Sequence, residues 1–405
     1  MPILITPYHM LDKFTAAVTA MLLLTACNGR NSITVTVDNT LGFDRTEEMA
    51  ELPADPVLDM LGSKYCYITD SDGNEVPSQI TYDRLLIFQP SVKARQLAVY
   101  TLHPSDTMHA YKSLTFGRLY PERADDLAWE NDLVGFRAYG PATQAKGEKA
   151  YGYDIFFKYP QHGLVLEKLY APETDPATWS KVDSLRRIDP AMAEDFINTF
   201  SYHIDHGLGM DCYAVGPTLG AGVAAILDND TIAMPWCYDK AEILDNGPLR
   251  FTARLTFAPR TIGNDTAVVE QRKITLDAGS YLNRCTVNYN GLRHGKSIVA
   301  GVPRRDDSPA VLDADNGIVA YADPTQGPDN GKALLGIVWP DGINAARETD
   351  GHIVGESMID SDGELTYYWG FTWSKTDIAT LTEWNDRLIQ VKKALSSPLS
   401  VAIED

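Results

Sequence analysis

Arg250-Phe251-Thr252-Ala253-Arg254-Leu255-Thr256-Phe257 is the stretch that decides the fold. Phe251, Ala253, Leu255 and Phe257 fall on one face, the period-two pattern of a strand laid against a core. Just downstream, Lys273-Ile274-Thr275-Leu276 and Leu282-Asn283-Arg284-Cys285-Thr286-Val287-Asn288-Tyr289 flank the turn residues Asp277-Ala278-Gly279, which predicts a hairpin. Further strands are expected near 297–302, 317–322 and 333–338, and an aromatic one at Tyr367-Tyr368-Trp369-Gly370-Phe371-Thr372-Trp373-Ser374. Upstream, residues 33–37 alternate Ile, Thr, Val, Thr, Val, and Asp70-Ser71-Asp72-Gly73-Asn74 is a tight-turn cluster. Residues 84–88, 96–102, 152–158 and 163–166 read as short strands, and 103–112 as a polar connector. Helix signals are few. Pro176 and Pro190 mark the starts of two short helices within 174–200. Thr380-Leu381-Thr382-Glu383 is a capping box, followed by Leu381, Trp384, Leu388, Val391 and Leu395 at helical spacing. The expected architecture is mainly β: a small N-terminal β-sandwich over 28–105, then a large β domain over 106–405 with few helices, one of them C-terminal.

The chain start has a separate character. Lys13 precedes a short apolar run over 14–26, and Leu24-Thr25-Ala26-Cys27 resembles a bacterial lipobox, so residues 1–27 read as a lipoprotein signal peptide. Cys27 is then the lipidated residue, and the residues after it, 28–32, hold no acid, which points to a periplasm-facing anchor. Contact with membrane is expected through that lipid alone. With 405 residues and a formal charge of −20, the chain is a poor partner for nucleic acid or an anionic bilayer. An anionic ligand needs local arginine or metal to overcome that field. No nucleotide-phosphate motif is visible. Cys66, Cys212, Cys237 and Cys285 show no C-x-x-C spacing, and their separation leaves open whether any pair forms a disulfide.

Two polar segments break the strand pattern. The first runs from Phe116 to Pro141 and contains Arg123, Asp126, Trp129-Glu130-Asn131-Asp132, Arg137 and Tyr139. Charged and amide side chains interleaved with aromatics suit a sugar: ring faces stack on its C–H side, while carboxylates, amides and guanidinium groups take hydroxyls and carboxylates. Arg123 and Arg137 are the natural carboxylate clamps. The same mixture also suits an internal network of ion pairs. The second segment runs from Tyr202 to Gly222, with His203, Asp205, His206, Asp211 and Tyr213 among glycines. Imidazoles beside carboxylates suit proton transfer or metal binding. A hydrogen-bonded surface loop is the plainer alternative.

At these motifs the sequence resembles a family of Bacteroidota lipoproteins catalogued as domain of unknown function 4861. The matching phrases are Pro121-Glu122-Arg123, Asp125-Asp126, Trp129 to Asp132, Phe136-Arg137, Tyr139-Gly140, residues 203–222, Tyr368-Trp369-Gly370 and Trp373-Ser374. The resemblance implies a protein of polysaccharide utilisation, encoded beside lyases and unsaturated-uronyl hydrolases; Trp369, within one of the matching phrases, is a further candidate sugar contact. The phrase Ile274-Thr275-Leu276-Asp277-Ala278-Gly279-Ser280 is similar to one in the galactose-mutarotase-like β-supersandwich of many sugar lyases. A related ulvan-pathway protein, regarded as an oligosaccharide dehydratase, suggests elimination of water from a terminal uronate.

That reaction removes the C5 proton, α to a carboxylate, and expels the C4 hydroxyl. The expected parts are Arg137 and Arg123 on the carboxylate, His203 or His206 as base, and Tyr213 as acid, with Asp126, Trp129, Glu130, Asn131, Asp132, Tyr139 and Trp369 holding the sugar. A divalent metal on His203, His206 and Asp211 is an alternative way to neutralise the carboxylate. A lyase that expels a sugar alkoxide is chemically adjacent. Glu122 and Glu130 are the carboxylates a glycosidase would pair. A non-catalytic glycan-binding lipoprotein would share the same composition, but would have little use for titrating histidines.

Overall fold

The computed structural model describes residues 3–5, 30–228, 230–293, 296–359 and 363–404. The lipobox and Cys27 lie outside the described residues. The chain is mainly β, built of antiparallel sheets with six helices among the described residues, one of them C-terminal. No described helix is long and apolar enough to cross a membrane.

Two units form. Among the described residues, the first comprises those up to Ser113, with Gly247–Leu249 and those from Ala394 to Glu404. A linear division at 105/106 therefore misses its closing strand, Ser400–Ile403, which pairs with Ile33–Asp38 and with Ile3–Ile5. Alternation works here as expected: Ile33, Val35 and Val37 are buried, while Thr34 and Thr36 are half-exposed. The helix Ala54–Leu61 interrupts what reads as strands and turns. Its proline, Pro56, sits in the first turn, where no intrahelical N–H is lost, and Ala54, Val57, Leu58 and Leu61 bury one face.

Among the described residues, the second unit contains three sheets. One of nine strands carries Arg250–Thr256, the hairpin of Asp265–Asp277 and Leu282–Asn290, and the aromatic strand Glu364–Trp373. One of five strands is ordered Thr231–Ala233, Ala224–Asp228, Ser297–Pro303, His352–Met358, Ala345–Thr349. Another is ordered Gly209–Met210, Asp154–Lys158, Gly135–Ala138, Asp126–Asn131, Thr115–Tyr120, and it positions the site. Thr252 is buried like its neighbours Phe251 and Ala253, so the nine-stranded sheet is covered on both faces. Helices Pro176–Ile188 and Pro190–Ile197 start where their prolines predict, capped by Asp175 and Asp189. The C-terminal helix Leu381–Ser396 closes its capping box, with the Thr380 N–H donating to Glu383 at 3.0 Å. It lays Trp384 and Leu388 over Gly336, where a Cβ would meet both side chains at 2.7 Å.

Residues 163–166 are not a strand. A helix, Leu166–Thr174, begins there because Glu130 accepts the N–H groups of Val165 and Leu166 at 2.9 and 2.8 Å. Glu130 also forms a buried ion pair with Lys158. The rest of that block is similarly committed. The Trp129 indole donates to Asn283 at 2.8 Å and its ring stacks on Phe136 and Phe251. Asn131 donates to the carbonyls of Asp277 and Ser280 at 2.7 Å, and Asp132 accepts from Gly279 at 2.8 Å, so both brace the hairpin turn. Trp369 is fully buried and stacks on Tyr153 at 4.1 Å. Trp129→Ala should therefore lower unfolding stability by about 3–5 kcal/mol, as for other buried large-to-small changes; a urea titration showing no loss would return Trp129 to the role of a surface sugar contact.

Candidate functional site

A cleft of about 430 Å³ opens where the two polar segments meet. The strands Asp126–Asn131 and Gly135–Ala138 supply Asp126 and Arg137 to its wall. Arg123 and Tyr139 flank them, and the loop after Ser201 contributes His203, Asp211 and Tyr213.

The framework is electrostatic. Arg137 and Asp154 are register partners on neighbouring strands, and the guanidinium pairs with the Asp154 carboxylate, with Nε at 3.0 Å. Its Nη2 also reaches Asp211 at 2.8 Å and the Tyr139 hydroxyl at 3.1 Å. Tyr139 in turn donates to Asp154. All three charged side chains are at most 5% exposed. Burial, with the charge of Asp154, pushes the Asp211 carboxyl upward despite the guanidinium beside it. Arg137 is thus spent on two carboxylates and is not a free substrate clamp, which corrects its expected role. Arg123 is better placed. It is half-buried, lines the cleft, and its Nε donates to the Tyr202 hydroxyl at 2.9 Å.

Backbone strain marks the same wall. Ala124 and Asp125 both adopt left-handed φ values, 57° and 60°, between Arg123 and Asp126. Such conformations cost non-glycine residues on the order of 1–3 kcal/mol each and persist where the surroundings over-determine them. Here the Tyr238 hydroxyl donates to the Asp125 carbonyl and the Thr143 hydroxyl to that of Ala124 at 3.4 Å.

His203 is the half-exposed group of the cleft, its side chain 55% accessible. Its Nδ1 lies 2.9 Å from the Asp211 carbonyl, which can only accept. Nδ1 therefore carries the proton in the neutral ring, and Nε2 holds the free lone pair. His206 is exposed and outside the cleft; the neighbouring Asp205 turns the chain by accepting from Gly207 at 2.8 Å and from Tyr159 at 2.7 Å. His203, His206 and Asp211 do not form the expected metal set, and no group of three His, Cys, Asp or Glu among the described residues is arranged to hold a metal ion. Tyr213 lines the cleft, buried, with the Arg305 guanidinium 5.6 Å from its ring centre. Burial pushes its hydroxyl well above the usual phenol range.

The cleft brings together Arg123, Asp126, Arg137, Tyr139, His203, Asp211 and Tyr213. It excludes Trp129, Glu130, Asn131, Asp132, Trp369 and His206. Glu122 pairs with Arg118 at the surface while Glu130 pairs with Lys158 inside, so they are no glycosidase dyad. Lys146 and Lys149, beside Glu148, line the cleft from the exposed loop after the helix Pro141–Ala145. Sequence reasoning passed over them, since two lysines in a polar loop carry no motif. Cys66, Cys212, Cys237 and Cys285 are all buried and free, so none of them forms a disulfide.

Burial raises Asp126 from 3.8 to about 7, against the opposing pull of Arg137 and Arg123. Folding then favours its protonated form, so its contribution to stability is complete below about pH 4 and is lost as pH rises through about 7. Asp126→Asn should flatten that part of the Tm–pH curve, with a ceiling of ~1.4 kcal/mol per unit of raised pKa. Parallel curves for the variant and the parent protein would contradict the assignment.

Comparison with known proteins places the chain. An uncharacterized protein P7 of Formosa agariphila is 23% identical over 397 residues, spanning 91% of this chain and 93% of that protein. Among solved structures, a glycosyl hydrolase family 38 protein from Enterococcus faecalis superposes with a TM-score of 0.52 at 10% identity. That match covers 93% of this chain but only 48% of the other, and it shows a shared β-rich fold alone. The profile of domain of unknown function DUF4861 matches residues 37–401. The chain belongs to the DUF4861 family.

Proposed function

We propose that this protein removes water from a uronate at the end of an oligosaccharide by β-elimination. What carries the reading is the combination in one cleft of Arg123 with Lys146 and Lys149, a histidine of fixed tautomer at His203, and protonated groups at Asp126 and Tyr213. The hollow gathers four cations, Arg123, Arg137, Lys146 and Lys149, beside Asp126, Glu148 and Asp211. In a chain of net charge −20, that concentration of positive side chains suits an anionic ligand. Arg123 takes the sugar carboxylate and offsets the negative charge that develops on it as C5 loses its proton. His203 Nε2 receives that proton. The C5–H electron pair forms the C4=C5 double bond, the C4–O bond breaks, and the departing oxygen leaves as water once it has gained a proton. A lyase working on a polysaccharide would use the same steps with a sugar oxygen leaving. The lipobox-like segment ending at Cys27 supports a lipid-anchored, periplasmic place for this step in polysaccharide utilisation.

Uronate-capped oligosaccharides should acquire the ultraviolet absorbance of a conjugated ene-carboxylate and lose the mass of one water. His203→Ala should lower kcat by about 10²–10⁴-fold. Arg123→Met should raise KM as well as lower kcat. Binding of the same oligosaccharides with neither absorbance nor mass change would sink the elimination and leave a glycan-binding protein.

A further inference from the structure

We propose that Asp126, not Tyr213, is the catalytic acid that gives its proton to the departing C4 oxygen; this rests on the elimination proposed above. Arg137 has already satisfied two carboxylates, Asp154 and Asp211, so a third has no cation within hydrogen-bond reach. Asp126 is that third group. Its nearest guanidinium nitrogen, Arg137 Nη1, is 3.9 Å from Oδ2. Its Oδ1 is buried and has no hydrogen-bond partner among the described residues. An ionised carboxylate in that position would be left partly unsolvated, whereas the neutral acid needs only an acceptor for its single O–H.

The surroundings agree. The charged neighbours of Asp126 are Arg137 and Arg123 on the positive side, and Asp154 and Glu148 on the negative. Tyr170, Tyr238 and Cys237, which also lie within its field, are neutral, each held so by burial. Burial outweighs the two guanidinium groups and leaves Asp126 protonated up to about pH 7. That makes it a stronger donor than Tyr213, whose hydroxyl burial drives still further from neutrality. In the step itself the Asp126 O–H bond breaks as the C4–O bond breaks, and water leaves. The C5 proton sits on His203, and the imidazolium and the new carboxylate reset through solvent.

The two left-handed residues before Asp126 fit this role. They set the strand start so that Arg123 and Asp126, three residues apart, line the same cleft.

The test compares Asp126→Asn and Tyr213→Phe on two substrates: a glucuronate-capped trisaccharide, and a 4-O-(4-nitrophenyl) glucuronide whose phenolate leaves without help. Asp126→Asn should slow the first by about 10²–10⁴-fold, hold the second within about tenfold, and lose the alkaline limb of the pH–rate profile. Tyr213→Phe should slow both to a similar, smaller extent. A second readout needs no substrate: the difference infrared spectrum of parent minus Asp126→Asn at pH 6 should show one protonated-carboxyl band, the Asp211 carboxyl being common to both. The assignment is overturned if Asp126→Asn slows both substrates equally, if Tyr213→Phe shows the leaving-group dependence instead, or if the difference spectrum lacks the band. Parent protein that turns over neither substrate removes the elimination itself, whereas parent turnover with an unimpaired Asp126→Asn removes only the acid.

Discussion

One buried guanidinium holds the site together. Arg137 is tied to Asp154 across the strand register and to Asp211 in a loop far along the chain. Removing one partner of such a buried pair typically costs about 3–5 kcal/mol, because the other charge is left uncompensated. The loop accordingly has little freedom to drift from the sheet. Its short strand, Gly209–Met210, pairs with Phe157 and Lys158 so closely that a Cβ at Gly209 would lie 2.0 Å from the Phe157 carbonyl, with φ at +119°. Only glycine fits there.

The same contact decides which groups remain free for chemistry. With Arg137 engaged by Asp154 and Asp211, Arg123 becomes the guanidinium available to a ligand, and Asp126 is left 3.9 Å from the Arg137 guanidinium, beyond hydrogen-bond distance. His203 is drawn to the rim because its Nδ1 is anchored on the backbone of Asp211, the residue that Arg137 holds. A structural ion cluster and a reactive set thus share one wall of the cleft, the first setting the protonation and tautomer of the second.

The sequence made the β architecture legible wherever a local rule was sufficient. Strict alternation identified 250–257, Asp277-Ala278-Gly279 identified its hairpin, and Pro176, Pro190 and the Thr380–Glu383 box identified helix starts. The meeting of the Arg137 and His203 segments also emerged from two polar blocks. The division of labour inside those blocks did not, because it depends on partners distant in sequence. Trp129, Glu130, Asn131 and Asp132 have the composition of a sugar site, yet Asn283, Lys158, the helix start at Val165 and the turn at Gly279 take them all. His203 and His206 look equivalent on paper and are separated by the turn at Asp205. Lys146 and Lys149 had no signature beyond their charge.

The most direct measurement of the central claim is a crystal structure of His203→Ala with a uronate-capped oligosaccharide bound. The account predicts the sugar carboxylate on Arg123, the C4 oxygen within hydrogen-bond distance of Asp126, and Arg137 still engaged with Asp154 and Asp211. A sugar seated outside this cleft, or one whose carboxylate displaces Asp211 from Arg137, would contradict it.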